Sequence, residues 1–207
     1  MTPLVDPRLV SCLMVTQASR WKFGPPPALV SYERQSYEPR ELVIVTADPC
    51  PAMDRTGFDV NVMPPGTKLG ALREHALEMA SGAYVATWDD DDISDPDRLA
   101  EQVAALEGMP LADACLLLRV QVLDQIKGRH FIGPRHAWEP TMLARRESVP
   151  PYPPEMETGE DTAVIRRMGQ VVVLDRPDLY THVAHAEATV AGRMVDEWWS
   201  ARTGGAL

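Results

Sequence analysis

Four consecutive carboxylates, Asp89 to Asp92, stand directly behind a short apolar run, Ala83 to Trp88. Adjacent acids repel one another, so a folded chain must either solvate them or neutralise them with a cation. The apolar run delivers them from the interior of a sheet, and Ile93-Ser94-Asp95-Pro96 then opens a helix. Asp95 is its expected N-cap, with Pro96 at the first helical position. Strand, acid cluster and capped helix is how an open α/β sheet presents charge at the carboxyl edge of a strand, where such sheets bind ligands. An all-oxygen cluster suits a hard divalent ion, Mg²⁺ or Mn²⁺, shared with a substrate's phosphates. A bare acid run is ordinarily a solvated loop; the flanks set this one apart. An EF-hand loop is excluded, because counting from Asp89 puts Ile93 and Ser94 where an acid or Asn and then a Gly are required.

The rest of the chain supplies the sheet. Leu9 to Val15 is a continuous apolar run, as in a strand covered on both faces, and it ends at Thr16-Gln17-Ala18-Ser19. A helix over Ala28 to Gln35 leads to a second strand, Leu42 to Val45, with Asp48 at its carboxyl end. Leu69, Leu72, Ala76 and Met79 line one face of a helix over 69–80, stopped at Gly82. Leu99, Val103 and Leu106 do the same after the acid cluster. Ala114 to Leu123 reads as one strand and Thr141 to Ala144 as a short one. A helix from Thr162 stops at Gly169, Val171 to Leu174 is a last strand, and Tyr180 to His185 is an edge segment. The repeats of strand and helix predict an α/β domain with a mostly parallel central sheet flanked by helices. At 207 residues that is one domain over about 1–190 with a short tail, 191–207. The tail carries Trp198-Trp199, read as a clasp on the core or a homodimer contact before a sugar platform, and ends in a flexible Thr203-Gly204-Gly205.

Charge and cysteines narrow the partners. A net charge of −10 argues against general binding to nucleic acid or anionic membranes. Only one stretch runs the other way: Lys127, Arg129, Arg135, Arg145 and Arg146 outnumber Glu139, which keeps a nucleic-acid acceptor open. Cys12, Cys50 and Cys115 form no pairing pattern and fit buried thiols in a reducing compartment. No apolar run approaches the roughly 20 residues that span a bilayer, and MTPLVDPRLV lacks a signal-peptide core. A soluble, cytoplasmic protein is expected.

Polar or acidic positions thus fall at three strand ends, Thr16, Asp48 and Asp89 to Asp92, with a later acid pair Glu160-Asp161 and then His185. This order resembles the family 2 glycosyltransferases, nucleotide-sugar-dependent enzymes of the GT-A fold. The closest likeness is LGALREHALEMASGAYVATWDDDDISDPDRL, residues 69–99, similar to that family's helix, strand, Asp-x-Asp loop and Pro-Asp-Arg-Leu. VSCLMVTQAS and ELVIVTAD resemble its first two nucleotide-binding strands, GEDTAVIRRM its base motif, and YTHVAHAEAT its late aromatic–histidine segment.

The resemblance implies a nucleotide-binding half over about 8–99 and an acceptor half over about 100–190. It places Thr16 and Asp48 on the base and ribose of a nucleoside-diphosphate sugar, most often a UDP-sugar, with Lys68 and Arg73 as nearby basic residues. Asp91 goes to the metal, joined by Asp89 in the Asp-x-Asp alignment, and either Asp89 or Asp90 meets the ribose. His185 is a further metal or diphosphate contact. Asp161 is the base and Glu160 orients it or holds the acceptor, a saccharide or other hydroxyl compound. The chain departs from the pattern at Val15-Thr16-Gln17-Ala18, Arg73-Glu74 and His185-Ala186-Glu187-Ala188-Thr189. It also lacks the Gln-x-x-Arg-Trp of processive synthases.

The implied chemistry is coherent. A metal neutralises a diphosphate leaving group, a carboxylate takes the proton of a weakly nucleophilic hydroxyl, and a single displacement inverts the anomeric carbon. Three rivals share parts of the pattern, of which a sugar nucleotidyltransferase needs a Gly-rich, basic loop after the first strand that VTQASR is not. A haloacid-dehalogenase-type phosphatase carries Asp-x-Asp at a strand end but opens its chain with it. A non-catalytic nucleotide-sugar or carbohydrate binding module would keep the nucleotide and lose the turnover.

Overall fold

The computed structural model describes residues 6–22, 24–186 and 193–202. Thr203-Gly204-Gly205 and the Glu187-Ala188-Thr189 end of the late segment lie outside the described residues.

Four parallel strands make the nucleotide-side half. β1 (Val10–Val15) lies between β2 (Arg40–Thr46) and β4 (Tyr84–Thr87), and β3 (Val60–Val62) extends the edge beyond β2. β1 and β4 are covered on both faces, which is why Leu9 to Val15 shows no alternation. α1 (Pro27–Glu33) and α2 (Leu69–Met79) pack against this half. The full seven-stranded order is β10-β6-β9-β4-β1-β2-β3. Within it β9 (Trp138–Arg145) runs antiparallel to both neighbours, and it is longer than the Thr141–Ala144 strand expected.

The expected single strand over 114–123 is two. β6 (Ala114–Leu117) is wholly buried and joins the main sheet beside β10 (Val171–Leu174). β7 (Gln121–Asp124) alternates in burial and joins a second, four-stranded sheet of order β5-β11-β7-β8, with β5 (Ile93–Ser94), β8 (Arg129–Ile132) and β11 (Tyr180–Ala184). The switch from continuous to alternating hydrophobicity marks the change from a two-sided to a one-sided sheet. This small sheet, absent from the sequence reading, carries the acid loop's far end.

The pairing of β5 with β11 also moves a helix start. The backbone N–H of Asp95 donates to the Leu179 carbonyl, holding 93–95 extended, so α3 (Arg98–Glu107) begins after Asp97. Asp95 therefore caps no helix; its Oδ1 accepts from the Asp97 amide. Arg98 is fully buried between the rings of Trp88 and Tyr180, 5.0 and 4.9 Å from their centroids. It donates to the Thr87 carbonyl and Ser94 Oγ, pinning both ends of the acid loop. α4 (Glu160–Ile165) and α5 (Arg193–Arg202) complete the chain.

The basic excess over 127–146 is consumed internally. Arg129 pairs with Asp124 and Asp196, Lys127 with Asp196 and Arg135 with Asp175. Arg145 and Arg146 donate to backbone carbonyls. Cys12 and Cys115 are buried, as expected of structural thiols, and Cys50 is partly so. Among the described residues no helix is long and apolar enough to cross a membrane.

Candidate active site

The four acids behind Trp88 are separated by giving each its own partners. Asp89 accepts from Arg73 Nη2 at 2.9 Å. Asp90, buried, accepts from Thr16 Oγ1 at 2.7 Å and lies 3.5 Å from Arg20 Nε. Asp91 meets Arg20 Nη2 and His185 Nε2, each at 3.0 Å. Asp92 turns inward to the Tyr180 hydroxyl at 2.5 Å, the Val183 amide at 2.7 Å and His182 Nδ1 at 3.2 Å. Burial and the neighbouring Asp91 push the Asp90 carboxyl up to about 7, against the Thr16 hydrogen bond and Arg20.

Arg73 joins this loop to the second acid motif. Its Nε donates to Glu160 Oε1 at 2.9 Å, and its Nη2 lies 3.1 Å from Asp161 Oδ2. One buried guanidinium therefore faces Asp89, Glu160 and Asp161, and these acids hold it charged, well above its already high ordinary value despite burial. The other Asp161 oxygen, Oδ1, is buried without a hydrogen-bond partner among the described residues. Burial raises the Asp161 carboxyl well above the usual carboxylate range; Arg73 opposes the shift, while Asp89 and Glu160 add to it.

Two glycines make the junction possible. The loop before α4 crosses the start of α2 so closely that a Cβ on Gly70 would lie 1.9 Å from the Pro153 carbonyl oxygen. The Gly70 amide donates to the Met156 carbonyl across the same contact. Gly159, at φ 76°, then turns the chain into Glu160 and Asp161, a left-handed conformation that favours glycine. Glu74 accepts from the Tyr152 amide at 2.7 Å and fixes the proline-rich approach.

The result is one cleft with two compartments. Thr16, Arg20, Asp48, Thr67 and Asp90 line the first, at the carboxyl ends of β1 and β2. His136, Trp138, Glu139, Asp161, His182 and Trp198 line the second. Arg73, Asp89, Asp91 and Glu157 belong to both and form the shared wall.

A family model described as Glycosyl transferase family 2 matches residues 51–168, more than half of the chain. The chain belongs to glycosyl transferase family 2. The fold agrees. TarS 1-349 from S. aureus in complex with UDP-GlcNAc superposes with a TM-score of 0.64 at 17% identity, covering 88% of this chain and 62% of that one. The mannosyltransferase PcManGT from Pyrobaculum calidifontis, in complex with GDP-Man and Mn²⁺, gives 0.57 at 16% identity, covering 90% and 59%. TarS 1-349 without a named ligand is covered to 60% of its length and TarS itself to 37%, so the chain spans about three-fifths of TarS 1-349 and a smaller part of TarS. No curated protein matches the chain. At these identities the likeness to solved structures is one of fold.

In this family 2 chain, Thr16 spends its hydroxyl inside the protein, donating to Asp90 and accepting from Trp21 Nε1 at 2.9 Å. Asp48 is exposed at the mouth of the first compartment, where it accepts from the Ala18 amide at 3.2 Å. Lys68 lines neither compartment; its Nζ donates to the Glu155 carbonyl at 3.0 Å. Asp89, Asp90, Asp91, Arg73, Glu160 and Asp161 line the cleft, and His185 lines neither compartment but reaches the shared wall through Asp91. Arg20 and His182 were not anticipated. Arg20 had a signal, a base just beyond the polar end of the first strand; His182 had none, since its place depends on the small sheet.

Asp91 and His185 also bear on a divalent cation. A carboxylate oxygen and an imidazole nitrogen 3.0 Å apart form a two-donor half-site, and small hard ions are commonly held by one or two protein groups with substrate phosphates completing the shell. Both atoms also meet the Arg20 guanidinium, at 3.0 Å from Asp91 Oδ2 and 2.9 Å from His185 Nε2, so an ion seated between them would take the place of those contacts. Among the described residues no group of three or more His, Cys, Asp or Glu is arranged to hold one without a substrate.

Proposed function

We propose that this chain transfers a sugar from a nucleoside-diphosphate sugar, with a UDP-sugar as the leading donor, to an acceptor hydroxyl with inversion at the anomeric carbon. One observation carries the reading: Arg73 bonds Asp89 on the acid loop and Glu160-Asp161 on α4, so both acid motifs address a single cleft. Structures sharing the fold hold UDP-GlcNAc or GDP-Man.

The first compartment would take the nucleotide. Asp48 at the mouth and the backbone beside Thr16 would meet base and ribose, with Asp89 or Asp90 at the ribose side. Arg20 faces the region where the diphosphate would lie. Asp91 with His185 would hold a divalent cation, which when bound supplies charge neutralisation to the leaving diphosphate. In the second compartment the acceptor hydroxyl would give its proton to Asp161 Oδ1, the base oxygen that Arg73 does not engage. Its oxygen forms the bond to the anomeric carbon, and the bond to the diphosphate breaks. Glu160, held by Arg73, keeps the base in place. A carboxyl raised toward neutrality suits this task, since a general base works best near the operating pH.

The test is a thermal-shift panel of nucleoside diphosphates with and without Mn²⁺, followed by donor turnover and NMR of the product anomer. Asp91→Ala should remove the metal-dependent stabilisation. Asp161→Asn should retain nucleotide binding and lose turnover by about 10²- to 10⁴-fold. Unchanged turnover in Asp161→Asn would reject the base, and nucleotide binding with no turnover in the parent chain would favour a binding module.

A further inference from the structure

The second compartment has two properties that together select a ligand. Its lining carries seven carboxylates against two cations, Arg73 and His182, both already paired with acids inside the wall, and Arg20 reaches Asp91 of that lining from the first compartment. One side of it is aromatic. The exposed His136 ring stacks on Trp138 at 4.4 Å, and Trp198 from α5 meets Trp138 edge-on at 5.0 Å and stands 6.3 Å from His136. Partial desolvation lowers the His136 imidazole from its ordinary value, against the neighbouring Glu139. Trp199, by contrast, packs on Phe131 and serves as the clasp.

Two polar atoms of the same lining have no hydrogen-bond partner among the described residues: Asp161 Oδ1 and His182 Nε2. His182 is held by Asp92 at Nδ1, and its ring lies 5.9 Å from Trp138 and 6.4 Å from Trp198. Buried polar groups in native proteins are nearly always paired, so two orphans beside an aromatic face point to a polyhydroxyl ligand.

We propose that the acceptor taken here is a saccharide ring without negative charge, neutral or amine-bearing, stacked on the His136–Trp198 face. The inference rests on the transferase reading and adds the acceptor's class. Excess carboxylate acts as a repulsive selector: a phosphate, sulfate or uronate group entering the compartment meets like charge, whereas a hydroxyl or ammonium does not.

The experiment uses the full chain loaded with UDP and Mn²⁺ and reads tryptophan fluorescence and histidine NMR signals. The probes are methyl β-glucopyranoside, methyl β-glucosaminide and methyl β-glucuronide. The first two should bind, and the glucuronide about tenfold more weakly, with the gap shrinking in high salt. Trp198→Ala should weaken neutral-glycoside binding about tenfold and Trp198→Phe restore most of it, UDP binding reporting that each variant is folded. Glucuronide binding as tight as the neutral glycoside overturns the proposal, as does failure of all three probes with a chain that binds UDP. Failure to bind any nucleoside diphosphate would instead strike the transferase reading itself.

Discussion

The two compartments are built in opposite ways. The nucleotide-side wall comes from the ends of adjacent parallel strands, β1, β2 and β4, and its polar groups are bonded to one another: Thr16 to Asp90, Ala18 to Asp48, Asp91 to Arg20. The acceptor-side wall is assembled from β9, the loop before α4, β11 and α5, and it leaves Asp161 Oδ1 and His182 Nε2 unengaged. A wall made by one sheet edge is pre-organised by the sheet. A wall gathered from four segments depends on the few contacts that gather it, and those contacts are where it can be broken.

Arg73 is the chief of them. Arg73→Ala leaves three acids around a buried space without their cation, and loss of one member of a buried ion pair typically costs about 3–5 kcal/mol. Denaturant unfolding should show a loss of that order, and Arg73→Lys should recover only part because a lysine cannot face three carboxylates as a planar fork does. A loss below about 1 kcal/mol, the scale of an exposed pair, would mean that the walls are joined elsewhere. Next comes Gly70→Ala, which drives a methyl into the Pro153 carbonyl. Overpacking of this kind costs about 1–3 kcal/mol, and the acceptor-side loop should open to proteolysis before the nucleotide side does.

A pH titration sharpens the contrast. Asp90 has a folded pKa of about 7 and an unfolded value of about 3.9. Between these values the folded state binds more protons than the unfolded one, so this group's contribution to stability falls as pH rises from about 4 through about 7. Asp90→Asn should flatten the decline in melting temperature between those limits; an unchanged slope would remove Asp90 as its source. The smallest effect belongs to Asp196→Asn, which breaks half-exposed contacts of α5 with Lys127 and Arg129. Surface pairs contribute about 0–1 kcal/mol, so α5 should stay docked through Trp198 and Trp199.

Legibility followed the same division. The β1 and β2 runs, the amphipathic face of α2 and the strand leading into Asp89 could be read because period and run length record burial locally. The start of α3 was misplaced by two residues, because Asp95 is claimed by Leu179 from the small sheet, a partner no local rule contains. Ala114 to Leu123 was read as one strand although its pattern changes midway; the change was visible, but a second sheet to receive it was not. Trp198 and Trp199 were read together, as a clasp or a dimer contact before a sugar platform, and the fold gives them different neighbours.

By itself the chain's order of residues determined that an α/β sheet would present an acid cluster at a strand end, with a second acid pair opening a later helix, because those features depend on near neighbours and on hydrophobic period. Only the tertiary structure decided that Arg73 would face both motifs, that Asp92 would turn inward, and that rings from β9 and α5 would wall the second compartment. Such contacts join residues far apart along the chain, and their geometry is set by how the loops close over the sheet.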